Sequence, residues 1–251
     1  MSLSIKLLLS PLLVVQALAT RRRLPRLPEA DGARDGEVGR GPMLRVLIVG
    51  DSSAAGVGVS RQADALAGHL TRSLAAQCNA RVRWQLLARS GLTSAACHAM
   101  LEAATPQAAD VAVVVLGVND VIDQVPSQRA VHAREAIANR LRNAHGVAHV
   151  VFAPLPPVNR FPGLPQPLRW VAGADARRHD RAVAAWAESR SDVSHVPIDL
   201  PLNRGVMGDD GFHPGEPVYR VCGVVLAEHI AAHVWPQMRA SAGGVRASLN
   251  S

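Results

Sequence analysis

Short apolar runs rich in β-branched residues alternate along this chain with longer stretches whose apolar side chains recur every three or four positions. The runs Leu44 to Val49, Val82 to Leu87, Val111 to Leu116, His149 to Ala153 and Val193 to Ile198 fit strands buried on both faces. Helical spacing is carried by Leu66, Leu70 and Leu74, by Ala96, Met100 and Ala103, and by the stretches Val131 to Leu141, Ala176 to Ala187 and Val218 to Val234. Five strands alternating with helices predict a three-layer α/β/α sandwich around a five-stranded parallel sheet. Pro154 to Pro167 is too rich in proline for a helix and reads as a loop over the sheet edge.

Ahead of the first strand the pattern changes. The stretch "IKLLLSPLLVVQALATRRR" is mostly apolar from Leu7 to Val15 and ends on Arg21, Arg22 and Arg23. A spanning helix needs about 20 apolar residues, more than this stretch offers, and Pro11 and Gln16 interrupt it. Ala17-Leu18-Ala19 has the small-residue pattern of a signal cleavage site, but the arginines directly after it oppose export. An interfacial anchor, with leucines in the acyl boundary and arginines on anionic headgroups, fits the length best. A membrane-associated location is therefore expected, with secretion after cleavage as the alternative. Leu24 to Pro42 reads as a linker rich in proline, glycine and charge. The expected organisation is an apolar segment with a basic linker over residues 1–41, one folded domain over 42–238 and a disordered tail over 239–251.

Composition narrows the partners. The net charge is +7, but the basic side is almost wholly arginine, and no basic run is interleaved with aromatics, which make up 3% of the chain. That weakens a nucleic-acid reading, since a single-strand binder would need such a run, and no nucleic-acid partner is expected. Cys78, Cys97 and Cys222 are odd in number and widely spaced, so they read as reduced thiols rather than a disulfide framework, with one disulfide plus a free thiol as the alternative.

In open parallel sheets, reactive groups gather beyond the carboxyl ends of the strands, so the residues just after each predicted strand carry the chemical argument. "GDSSAAGVG" follows the first. It lacks the lysine of a phosphate loop, and Arg61 stands where a dinucleotide turn would place its third glycine. It does present Ser52 at a strand end ahead of a helical segment, where Asp51, Ser52 and Ser53 would otherwise serve only as helix caps. After the second strand, Gly91 offers a backbone N–H with no side chain in the way. After the third, "GVND" offers the Asn119 amide, or else an ordinary Asx turn. After the fifth, "DDGFHP" sets Asp210 and His213 three residues apart, a spacing at which a carboxylate can hold an imidazole in one tautomer. His229 and His233 lie one helical turn apart without a third ligand, so they read as helix-face residues, and no metal or other cofactor is expected.

These four blocks, in this order, resemble the SGNH subgroup of the GDSL hydrolases over nearly the whole domain, with Ser53 where the family name has leucine. The resemblance implies a flavodoxin-like sandwich and a serine esterase or lipase-like hydrolase acting on a small-molecule or lipid ester. It implies Ser52 as nucleophile, His213 as base and then acid, Asp210 as the orienting carboxylate, and an oxyanion hole made by the Ser52 and Gly91 N–H groups and the Asn119 side chain. An acyltransferase would use the same residues, and a membrane-tethered binding protein without activity is the reading from another class. Removal of residues 1–41 is expected to leave catalysis intact.

Overall fold

The computed structural model describes residues 3–200 and 202–240; the expected C-terminal tail lies, from residue 241 onward, outside the described residues. A six-stranded sheet runs in the order β1 (Asp35–Val38), β3 (Arg81–Ala88), β2 (Met43–Gly50), β4 (Val111–Val115), β5 (His149–Phe152), β6 (Val193–His195). The last five are parallel to one another, whereas β1 pairs antiparallel with β3. The parallel five have the order of a flavodoxin-like doubly wound sheet, whose crevice opens where the chain reverses direction across the sheet, here between the carboxyl ends of β2 and β4.

The strand count of five is thus corrected to six, and the extra strand comes from the segment read as a linker. Its sequence, Asp-Gly-Glu-Val, gives no apolar run, because an edge strand needs only one partner and leaves its charged side chains in water. Arg83, on the neighbouring strand, bonds to Glu37 across this edge.

Alternation along β2 divides the core. Leu44, Val46 and Ile48 pack under α2 (Leu66–Gln77) and α7 (Glu216–His229), while Leu47 and Val49 face α3 (Ser94–Ala103), α5 (Ser127–His145) and α6 (Leu168–Glu188). The short α4 (Val118–Ile122) follows β4 directly. A third apolar cluster joins Leu155, Val158, Phe161 and Leu164 of the proline-rich loop to Leu200, Leu202, Met207 and Val218, so that loop is packed rather than free. The expected last helix, Val218 to Val234, is α-helical only to His229 and continues as a π-helical turn over Ile230–Val234. All three cysteines are free thiols.

The apolar N-terminal segment forms α1 (Leu3–Arg23), which continues through Pro11. It lies against the rest of the chain: the Gln16 amide donates to the Gln166 carbonyl (2.7 Å) and accepts from the Leu168 N–H (3.1 Å), and Arg23 donates to the Gly163 carbonyl. Among the described residues, no helix is long and apolar enough to cross a membrane.

Candidate active site

Beyond Gly50 the chain does not enter a helix at once, as the sequence suggests, but wraps through turns from Asp51 to Ser60, and α2 begins only at Leu66. The wrap is held by the Ala55 N–H on the Asp51 carbonyl and the Val57 N–H on the Ser52 carbonyl. The glycines that hinted at phosphate have another use. Gly58, at φ +105°, has no room for a Cβ, which would run into the Pro214 carbonyl and come within 3.4 Å of the His213 Cβ. This close approach lays the histidine loop against the serine loop, and Tyr219 of α7 fastens the pair by donating its hydroxyl to the Val57 carbonyl (2.7 Å).

Ser52, Asp210 and His213 come together. Ser52 Oγ lies 3.2 Å from His213 Nε2, and His213 Nδ1 lies 2.6 Å from Asp210 Oδ2. The other Asp210 oxygen accepts from the backbone N–H groups of Phe212 and His213, which closes the loop into a tight turn around the carboxylate. Burial would raise the Asp210 carboxyl, but the hydrogen bonds from the His213 ring and from the two N–H groups outweigh it and hold the acid below its ordinary value. Its neighbour Asp209 is exposed. Phe212 meets the His213 ring edge-on at 5.2 Å and is itself met edge-on by Phe161 of the proline-rich loop.

Gly91 stands in open space at φ +82°. Its N–H and that of Ser52 have no protein acceptor among the described residues. Asn119 reaches the same edge but is engaged: its amide donates to Asp51 Oδ2 (3.2 Å) and to the Leu92 carbonyl (3.1 Å). Asp51 is wholly buried, and burial pushes its carboxyl up to about 6 against the lowering effects of the Ser53 N–H and the His213 ring. Behind it, buried Asp120 accepts from the N–H and hydroxyl of Ser94 at the start of α3 and lies 3.4 Å from Arg134, which also donates to the Leu116 carbonyl. Asn119 and Asp120 thus lie in α4, not in an Asx turn, and share the support of the site between them.

Sequence reasoning missed several of these supports. Glu29, assigned to the linker, accepts from both the N–H (2.7 Å) and the hydroxyl (2.8 Å) of Ser90, immediately before Gly91. Next to it, the Ala30 N–H donates to the Ala55 carbonyl and Gln62 binds the Ala30 and Ala55 carbonyls, so residues 29–31 strap the serine loop. No signal marked Glu29, because a stretch rich in charge, proline and glycine reads as a linker until its partners are known. Arg134 carried no signal, since arginine on a helix reads as surface until its partner is known.

A buried acid, an imidazole and a hydroxyl in hydrogen-bonded series, set at the switch point of a flavodoxin-ordered sheet, have the arrangement found in serine hydrolases. The chain belongs to the GDSL-like lipase/acylhydrolase family, whose model matches residues 48–221 and so takes in all five residues singled out from the sequence. It is an enzyme, a hydrolase of carboxylic esters. The chain is 28% identical over 236 residues to the GDSL-like esterase Rv1075c of Mycobacterium tuberculosis, covering 86% of this chain and 74% of that protein. In fold it is similar to the lipase Lip_vut3 from a goat rumen metagenome, with a TM-score of 0.60 at 19% identity over 76% of this chain and 98% of the other. It is likewise similar to Axe2, an acetylxylan esterase from Geobacillus stearothermophilus, with a TM-score of 0.58 at 16% identity over 78% and 97%.

Proposed function

We propose that the chain cleaves small-molecule or acyl-chain esters through a covalent acyl-serine intermediate. The observation that carries this reading is the continuous hydrogen-bonded series from Asp210 through His213 to Ser52. Ser52 Oγ attacks the ester carbonyl carbon as His213 Nε2 takes the hydroxyl proton, and the carbonyl π electrons move onto oxygen. Buried, ionised Asp210 keeps Nδ1 as the protonated nitrogen and stabilises the imidazolium that forms. When the tetrahedral species collapses, the C–O bond to the alcohol breaks and His213 returns its proton to that alcohol. Water then adds to the acyl-serine, giving its proton to His213, and Ser52 recovers a proton as the carboxylic acid leaves.

The oxyanion is held by the N–H groups of Ser52 and Gly91, which have no protein acceptor among the described residues. Asn119 adds a third donor by exchanging its Leu92 or Asp51 acceptor for the oxyanion, which makes its contribution specific to the charged state. The test is the turnover of a series of p-nitrophenyl esters graded in acyl length. Ser52→Ala is expected to lower kcat by about 10⁴-fold on every member while leaving the fold intact, and turnover within tenfold of the parent would overturn the reading. Product analysis with added alcohols separates hydrolysis from acyl transfer, since only transfer yields a new ester.

A further inference from the structure

Helix α1 is apolar on two sides, and the protein covers only one. Leu9, Leu13, Gln16 and Thr20, spaced by four, three and four residues, form the covered face; Thr20 is buried and the other three are partly so. Leu7, Leu8, Leu12, Val14, Val15 and Leu18 are exposed, and at 100° per residue they occupy an arc of roughly 160° on the far side. Leu8 is 81% exposed and Val15 63% exposed. A continuous apolar face of this kind in water marks a surface that something covers.

Charge identifies what covers it. No acidic residue lies in α1, and the helix ends on Arg21, Arg22 and Arg23, of which Arg21 and Arg22 leave their side chains in solvent. The helix on which α1 rests continues the theme. At the end of α6 where the Leu168 N–H meets Gln16, Trp170 is exposed, and farther along the helix Arg177, Arg178 and Arg181 are exposed as well. The two acids in this stretch of α6 are taken up by the protein, Asp175 buried 3.6 Å from Arg178 and Asp180 accepting from the Leu155 N–H and lying 2.8 Å from His195, so an apolar helix face, an exposed tryptophan and the arginines match the layers of an anionic bilayer surface: acyl boundary, interface and headgroup charge.

We infer that α1 and the exposed edge of α6 form a docking surface for anionic lipid membranes, separate from the ester site and independent of its chemistry. The occupant is the bilayer rather than a second copy of the chain, because apposing two such surfaces would bring arginine clusters of like charge together.

Co-sedimentation of the full chain with vesicles tests this directly. Binding to vesicles of equal parts phosphatidylcholine and phosphatidylglycerol is expected to exceed binding to pure phosphatidylcholine and to fall as salt rises. Leu8→Ala with Val15→Ala keeps good helix formers in α1 and is expected to weaken binding roughly tenfold. Arg177→Glu with Arg181→Glu leaves α1 untouched and is expected to cost at least about tenfold on the anionic vesicles alone. All variants should hydrolyse a soluble short ester at the parent rate, which separates a failure of docking from a failure of catalysis or folding. The inference is overturned if the chain stays in the supernatant with anionic vesicles, or if neither double variant moves the binding. It is also overturned if sedimentation velocity shows a dimer that Leu8→Ala with Val15→Ala dissociates while vesicles are ignored.

Discussion

At the scale of single residues, the account turns on groups that never touch substrate. Glu29 holds Ser90 by two hydrogen bonds, and Ser90 leads directly into Gly91, so the direction of one proposed oxyanion donor depends on a carboxylate that lies far away in sequence. A shift of the order of an ångström in such a donor is costly, because its benefit exists only when it points at the developing charge. Glu29→Ala is expected to lower kcat by roughly tenfold or more while KM and the thermal midpoint hold. Glu29→Gln, which keeps an acceptor, should recover most of the loss. Equal losses in both variants, or a loss confined to stability, would assign Glu29 to the scaffold alone. The result also bears on truncation: removal of residues 1–41 takes away Glu29, Ala30 and β1 together, so the earlier expectation of intact catalysis gives way to one of impaired catalysis.

At the scale of elements, close backbone approach decides where the loops sit. Gly58 and Gly146 both have positive φ, but Gly58 faces the Pro214 carbonyl whereas nothing lies within 4 Å of a Cβ at Gly146, the C-cap of α5. Gly146→Ala is expected to cost only the left-handed conformation, about 1 kcal/mol in urea unfolding, with kcat unchanged. Gly58→Ala adds a collision that pushes His213 and Pro214 away from Ser52, so stability and kcat should fall together, the former by about 2–3 kcal/mol. Indistinguishable behaviour of the two would mean that contact between the loops does not position the histidine.

The same contrast explains what could be read from the sequence. β2, β4 and β5 were legible because burial on both faces writes itself as an apolar run, while β3, with Arg81 and Arg83 exposed, and the short β6 were legible from their apolar residues alone; Ser52, Gly91, Asn119, Asp210 and His213 were legible because each follows a predicted strand. β1 was not, since an edge strand needs no apolar signature, and the turns after Ser52 were not, since their hydrogen bonds join residues 29–31 to the serine loop. Nor could the sequence show that the Asn119 amide is engaged by Asp51 and Leu92.

At the scale of the whole molecule, buried and partly buried histidines set the response to acid. His69, His145, His149, His179 and His229 all lie below their ordinary value of 6.5, with burial the foremost cause, and His149 and His229 also repel one another. Each therefore contributes stability that is fully present above pH 6.5 and is lost as the pH falls through its folded value. Asp51 works in the opposite sense: raised from 3.8 to about 6, it favours the folded state increasingly as the pH falls through 6 and offsets part of the loss. Because these five histidines act together against Asp51, the thermal midpoint is expected to fall between pH 7 and pH 5. A midpoint that stays level or rises over that interval would show that the histidines do not set the response to acid, and a repeat with Asp51→Asn would tell whether Asp51 outweighs them.

The central claim, that Ser52 is the nucleophile, is tested most directly by mapping the adduct of a fluorophosphonate on the intact protein by peptide mass spectrometry. The account predicts one phosphonyl group per chain, on Ser52, and none after Ser52→Ala. An adduct on another residue, or an unlabelled chain that still turns over esters, would contradict it.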